Sequence, residues 1–93
     1  MLDNLIDCDK IVGNLWLRAR AEGDKFTFAD RKVTKSLKKL FNELAIPVEE
    51  RDKIPVLCDD VGVVWIYSIG TDSRCRITDY SSNIISFGGE TND

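Results

Sequence analysis

From Lys35 to Ala45 the chain reads KSLKKLFNELA, with Leu37, Leu40, Phe41 and Leu44 at i, i+3, i+4 and i+7. That spacing lines four apolar side chains along one stripe of an α-helix, and it marks the one clear helix of the chain. Thr34 supplies an N-cap. Pro47 ends the pattern, because the residue before a proline avoids the α region. Pro47 then opens a short second helix, PVEERDK, which Pro55 closes.

Strand patterns lie on both sides of this helical pair. In NLWLRARA, Leu15, Leu17 and Ala19 alternate with Trp16, Arg18 and Arg20, which predicts a strand with its leucines in the core. EGDK is a turn signal and KFTF a short strand after it. VLCDD and VVWIYS read as two strands joined by the DDVG turn, and RCRITD and IISF as the last strands. Residues 1–13 form a lead-in segment or edge strand, residues 14–87 the folded domain, and residues 88–93, GGETND, a disordered tail. Strands, a helix pair and strands again give an α+β fold: a small, strand-rich single domain with one main amphipathic helix and a short second helix.

Several classes of chemistry are disfavoured. The 93 residues suffice for one small domain. No apolar run approaches the ~18 residues of a membrane span, so no membrane partner is expected. The first residues, MLDNLIDCDK, lack the basic start of a secretory signal. Cys8, Cys58 and Cys75 form no CxxC pair and read as free thiols of a reducing, cytoplasmic setting. There is no histidine, which removes the usual nucleophile–base pairs and the commonest metal ligand. Asp59-Asp60 reads as turn chemistry. No catalytic residue and no metal ligand is assigned.

The charge is unevenly placed. The formal net charge is −3, with 13 Lys+Arg against 16 Asp+Glu. Yet Arg31, Lys32, Lys35, Lys38 and Lys39 follow one another with no acid before Glu43. On a helical wheel Lys35, Lys38 and Lys39 share the face opposite the apolar stripe. Lys35 falls in the first turn, where the helix dipole disfavours a cation. Free N–H groups with cations nearby would suit a phosphate there.

Three stretches, RARAEGDKF, KVTKSLKKLFNELAIP and RDKIPVLCDDVGVVWIYSIGTDSRCRI, resemble the C-terminal domain of bacterial tRNA(Ile)-lysidine synthetase in order and spacing, over about residues 15–77. The resemblance rests on Arg18-x-Arg20-x-x-Gly23-Asp24-Lys25-Phe26, on Lys35, Leu37 and Lys38, on Arg51-Asp52 before Ile54-Pro55, and on Gly70 and Arg74. After Phe26 many relatives have a proline and a glycine-containing loop, where this chain has Phe28 and ADRKVT.

The resemblance implies a PheT/TilS-like fold, a kind of domain also found in the β subunit of phenylalanyl-tRNA synthetase. It implies a parent enzyme that uses ATP and Mg to adenylate the wobble cytidine of isoleucine tRNA, after which lysine displaces AMP. Catalysis would belong to an N-terminal catalytic domain with a Ser-Gly-Gly-x-Asp-Ser loop that this sequence lacks, so no cofactor is expected here. The implied role is tRNA binding at the acceptor stem. Arg18, Arg20, Lys25, Arg31, Lys32, Lys35, Lys38 and Lys39 are expected to form one basic surface that neutralises phosphates. Arg51 and Arg74 fit either an RNA contact or a structural pair, for Arg51 with Asp52 or Glu49. A protein-interaction module is the alternative. The exposed face of the Trp16 strand, or an edge strand near residues 84–87, could pair with another chain, including a homodimer partner.

Overall fold

The computed structural model describes residues 4–86 and shows an α+β domain of three small antiparallel sheets and two short helices. The residues expected to form the C-terminal tail lie outside the described residues.

The central sheet has the order β2 (Trp16–Arg18), β5 (Val56–Cys58), β6 (Val63–Ile66), β7 (Gly70–Thr71). The β5–β6 pair is the one expected from VLCDD and VVWIYS, but its register shifts at Leu57/Cys58, where Leu57 faces Trp65 and Cys58 faces Val63. This irregularity lets the sheet serve two cores. Val56, Cys58, Val63 and Ile66 pack with Phe26, Leu37, Leu40 and Phe41. Leu57, Val64 and Trp65 pack with Ile6 and Cys75. A strand buried on both faces reads as a continuous apolar run, as VVWI does.

The first core is closed by the hairpin of β3 (Lys25–Phe28) and β4 (Val33–Ser36) and by helix α1 (Leu37–Glu43). The second is closed by β1 (Leu5–Asp7) paired with β8 (Ile84–Ser86), in the register Ile6↔Ile85. The lead-in segment therefore contains a core strand with Ile6 fully buried.

Helix α1 is shorter at both ends than the stripe suggests. Val33, Thr34 and Lys35 pair with β3, so Ser36 rather than Thr34 is the N-cap, and its Oγ accepts from the Lys39 N–H at 3.1 Å. At the other end Ala45 takes φ +57°, with Ala45 N–H bonded to the Asn42 carbonyl and Ile46 N–H to that of Phe41. This is a Schellman stop, and it leaves Leu44 outside the helix and exposed. The short second helix, α2 (Val48–Arg51), follows Pro47 as expected.

Two other expectations fail. Leu15, Trp16 and Leu17 are 40, 43 and 51 % exposed, so the alternation in NLWLRARA does not mark a core face. β2 is an edge strand of three residues, bonded to β5 alone. RCRITD is no strand. Asp72 caps a 3-10 turn over Ser73–Cys75, its side chain accepting from the Arg74 N–H, and that local bond competes with an extended chain.

Asp59 ties the lead-in to the β5–β6 turn. The residue is 2 % exposed and its side chain is fully buried. It accepts from the N–H groups of Val12 (2.9 Å), Val61 (2.9 Å) and Gly62 (3.0 Å), and from Arg74 Nη1 (2.9 Å) and Nη2 (2.5 Å). Gly13 beside it takes φ +74°, a left-handed backbone conformation that favours glycine. Burial alone would push the Asp59 carboxyl up, but Arg74 and the three N–H groups outweigh it and hold the group far below the usual carboxylate range. Asp7 is also held low, chiefly by the Ser81 hydroxyl.

Asp59→Asn is expected to lower the stability of the fold by about 2–4 kcal/mol, since it leaves Arg74 facing an uncharged partner, and urea denaturation reads this directly. The stabilisation from Asp7 and Asp59 is in force above the unfolded aspartate value of about 4 and is lost as pH falls through their lower folded values. Asp72, raised by burial, acts with the opposite sign and relieves part of that loss on protonation. Denaturation midpoints measured from pH 7 to pH 3 should therefore fall in the wild type below about pH 4, and fall less steeply in the Asp59→Asn chain.

Candidate nucleic-acid interface

The expected basic residues divide into two groups, and packing decides the division. Lys25 opens β3, opposite Ser36. Lys38 and Lys39 lie on α1 away from its buried Leu37, Leu40 and Phe41. Arg31 and Lys32 occupy the loop between Phe28 and Val33, where Lys32 takes φ +52° and its N–H bonds the Phe28 carbonyl at 2.7 Å. The Arg31 guanidinium stacks 4.4 Å from the Phe28 ring centroid, which orients it and leaves its edge to solvent. All five side chains are exposed and have no ion-pair partner among the described residues.

The other five are engaged inside the domain. Arg18 forms a two-point pair with Asp24, Nη1 to Oδ2 at 2.8 Å and Nη2 to Oδ1 at 2.9 Å. Asp24 also accepts from the Ala21 N–H at 2.7 Å, so the pair holds the Gly23 turn shut. Burial would push the Asp24 carboxyl up, but these bonds keep it below its usual value. Arg20 lies beyond β2, with Nε bonded to Asp52 at 3.0 Å and its guanidinium 5.9 Å from the Phe41 ring centroid. Lys35 is half-buried on β4, not on the helix, and its Nζ donates to Glu43 Oε1. Arg51 is buried and donates from Nε to the Ile46 carbonyl at 2.8 Å, in place of a pair with Asp52 or Glu49. Arg74 holds Asp59 and the Val63 carbonyl.

The N-terminus of α1 is not an open anion site. The Leu37 N–H is bonded to the Asp24 carbonyl at 3.1 Å and the Lys39 N–H to Ser36. Beside it runs a groove of about 440 Å³, between Arg20 and the Glu22–Asp24 turn on one wall and Ser36 and Lys38 on the other. At the far end of the β3–β4 hairpin a second groove, also about 440 Å³, is lined by Lys32 with Lys10 and Arg76. The sequence pattern gave no reason to single out Lys10 or Arg76. They sit at the ends of two 3-10 turns, where periodicity carries no signal. Among the described residues no group of three or more acidic or cysteine side chains comes together to hold a metal ion.

Exchanging the engaged arginines should therefore affect folding, and exchanging the exposed lysines should not. Arg18→Met and Arg51→Met are each expected to cost about 1–3 kcal/mol, by the loss of partly buried charge-assisted bonds. Lys25→Gln, Lys38→Gln and Lys39→Gln should each stay within about 0.5 kcal/mol, and thermal denaturation of the five variants checks the ranking.

Comparisons with known proteins agree with this architecture. Residues 15–85 match the family model described as the TilS substrate C-terminal domain. A tRNA(Ile)-lysidine synthase of Clostridium tetani is 34 % identical over 79 residues, covering 85 % of this chain and 17 % of the relative. That of Clostridium acetobutylicum is 38 % identical over the same shares. A bifunctional TilS/HprT protein of Listeria monocytogenes is 38 % identical over 63 residues, 67 % of this chain and 10 % of the relative. The chain thus spans about a sixth of the length of the tRNA(Ile)-lysidine synthases it matches. A crystal structure of a TILS C-terminal domain superposes with a TM-score of 0.72 at 26 % identity, over 86 % of this chain and 62 % of that one. With the family model spanning most of its length and a solved fold of the same kind, the chain belongs to the TilS substrate C-terminal domain family.

Proposed function

We propose that this chain is the tRNA-gripping part of a tRNA(Ile)-lysidine synthase. One observation carries the reading. Lys25, Lys38 and Lys39 at the base of the hairpin, with Arg31 and Lys32 at its tip, are exposed cations that form no ion pair with an acid of the described residues, although Glu43, paired with Lys35, lies within electrostatic reach of Arg31 and Lys39. Cations so placed attract a polyanion. The ligand is a double-helical RNA stem gripped by its phosphates, because the major groove of A-form RNA admits no side chain and the backbone is what remains to be held. On this reading the stem is the acceptor stem of isoleucine tRNA. ATP, Mg and the lysine-transfer chemistry belong to a catalytic domain elsewhere in a longer, cytoplasmic protein. The paired residues Arg18, Arg20, Arg51 and Arg74 hold the frame, and the unpaired ones meet the RNA.

A second reading concerns the β2 edge. Leu15, Trp16 and Leu17 form a run of exposed apolar residues on a strand with one free edge, the kind of surface that another protein segment covers. It is compatible with the first, since the two surfaces use different residues. Light scattering across a concentration series would show it as a dimer mass.

The first reading is tested with a fluorescent acceptor-stem RNA titrated at increasing salt. Engagement of four phosphates gives a slope of log K against log salt of about −3 to −4, with affinity on the order of 1–100 µM for this small surface. Lys38→Gln with Lys39→Gln should make the slope less negative by about 1.5–2. A slope near zero in the wild type overturns the reading.

A further inference from the structure

The groove at the hairpin tip differs in kind from the one at its base. Its cations come from three separate segments. Lys10 ends the first 3-10 turn, Lys32 stands at the positive-φ position of the β3–β4 loop, and Arg76 caps the second 3-10 turn. They are locked together by the fold. Lys10 Nζ donates to the Arg76 carbonyl at 2.7 Å, and the buried Asp72 accepts from the Thr27 N–H at 2.8 Å, fixing β3 against the second turn. The Arg76 guanidinium and the Lys32 ammonium have no acidic partner among the described residues. The acids beneath them are engaged elsewhere: Asp7 by Ser81 and Lys10, Asp9 by Asn83, Asp59 by Arg74. Asp30 and Asp79 remain exposed nearby.

A second observation lies beside this groove. Tyr80 is 95 % exposed, far more than any other large hydrophobic residue among the described residues. It is not on a loose loop. Thr78 N–H bonds Ser81 Oγ at 2.8 Å, Ser81 N–H bonds the Thr78 carbonyl at 3.1 Å, and Tyr80 N–H bonds Thr78 Oγ1 at 3.2 Å. Ser81 Oγ in turn donates to the buried Asp7 at 2.6 Å, anchoring the turn to β1. Thr78 itself lines the groove, and Tyr80 follows it by two residues in the same braced turn. A folded domain that carries an aromatic ring into water from a braced turn presents a flat apolar face ready to be covered. Beside two unpaired cations, that combination fits a nucleotide: a phosphate in the groove and a base on the ring.

We infer that the tip groove binds an unpaired nucleotide of the RNA, with Lys32 and Arg76 on its phosphate and Tyr80 stacked on its base. This rests on the RNA-gripping reading and extends it. The hairpin places the tip three residue steps from the base groove, roughly 10 Å at the rise of a strand, so one phosphate cannot satisfy both. The base-end lysines then hold a paired stem while the tip holds a strand that has left the stack, since only an unstacked base can lie on a side-chain ring.

Two labelled RNA hairpins separate the cases, one blunt and one carrying two unpaired 3′ nucleotides, each titrated by fluorescence anisotropy against the 93-residue chain. The wild type should bind the overhang form at least about 5-fold more tightly, Tyr80→Ala should erase that difference, and Tyr80→Trp should keep it. Lys32→Gln with Arg76→Gln should weaken the overhang form and make its salt slope less negative by about 1.5. None of these side chains forms an ion pair among the described residues, and melting temperatures of the variants, expected to stay close to the wild type, exclude unfolding as the cause. Equal binding of the two hairpins, unaffected by either change while Lys38→Gln with Lys39→Gln still weakens both, overturns the nucleotide site and leaves the stem-gripping function standing. Absence of binding to both hairpins at low salt overturns the two together.

Discussion

The fold depends on a carboxylate that solvent does not reach. Three sheets of two, four and two strands share no ladder hydrogen bonds, so their ends are joined by loop backbone bonds, such as Asp60 N–H to the Val12 carbonyl, and by side chains. Asp59 does this most fully, binding the lead-in at Val12, its own turn and the Arg74 fork at one point. Asp72 repeats the device between β3 and the second 3-10 turn, and Asp7 between β1 and the Thr78–Ser81 turn. A charge so placed is tolerable only because nearly every lone pair finds a donor. The net charge of −3 is therefore a poor guide to the surface, because three of the acids are internal struts.

Arginine and lysine take different work for a physical reason. The guanidinium fork can make two parallel bonds and lie flat against a ring, and Arg18, Arg20 and Arg74 are used in those ways within the domain, while Arg51 donates a single bond from Nε to a backbone carbonyl. The ammonium is a hydrated point charge on a flexible stem, and Lys25, Lys32, Lys38 and Lys39 are left in water. Lys35 departs from this division because its position on β4 brings it within reach of Glu43, and Arg31 because Phe28 offers its ring. The neutralised group and the free group are thus sorted by geometry, although they alternate along the chain.

Much of the architecture was legible in the sequence where an element carries its own period and caps. The apolar stripe from Leu37 to Phe41, the Pro47 helix start and the apolar run of β6 each appear in the fold. What misled was pattern without tertiary context. Trp16 to Arg18 alternates as a core strand does, yet it forms the sheet's edge with its leucine in water. Lys35 fits a helical wheel, yet pairing opposite Phe26 claims it for the hairpin. Of the candidate interface, the cluster from Arg31 to Lys39 was visible as charge, but which members are free was not. Within that cluster it depends on Glu43, which takes Lys35, and among the other candidates on Asp52 for Arg20 and on the Ile46 carbonyl for Arg51. Arg76 and Tyr80 sit in irregular chain, where no periodicity announces them.

The two-point bond between Arg18 and Asp24 has a consequence for how such a domain drifts over generations. Neither residue can change alone without stranding its partner, so the two are constrained to be kept or replaced together. A lysine on α1 with no ion-pair partner among the described residues carries no such obligation and can come and go in a single substitution. Lineages of this domain would then hold the same skeleton while their grip strengthens or slackens, one unattached cation at a time.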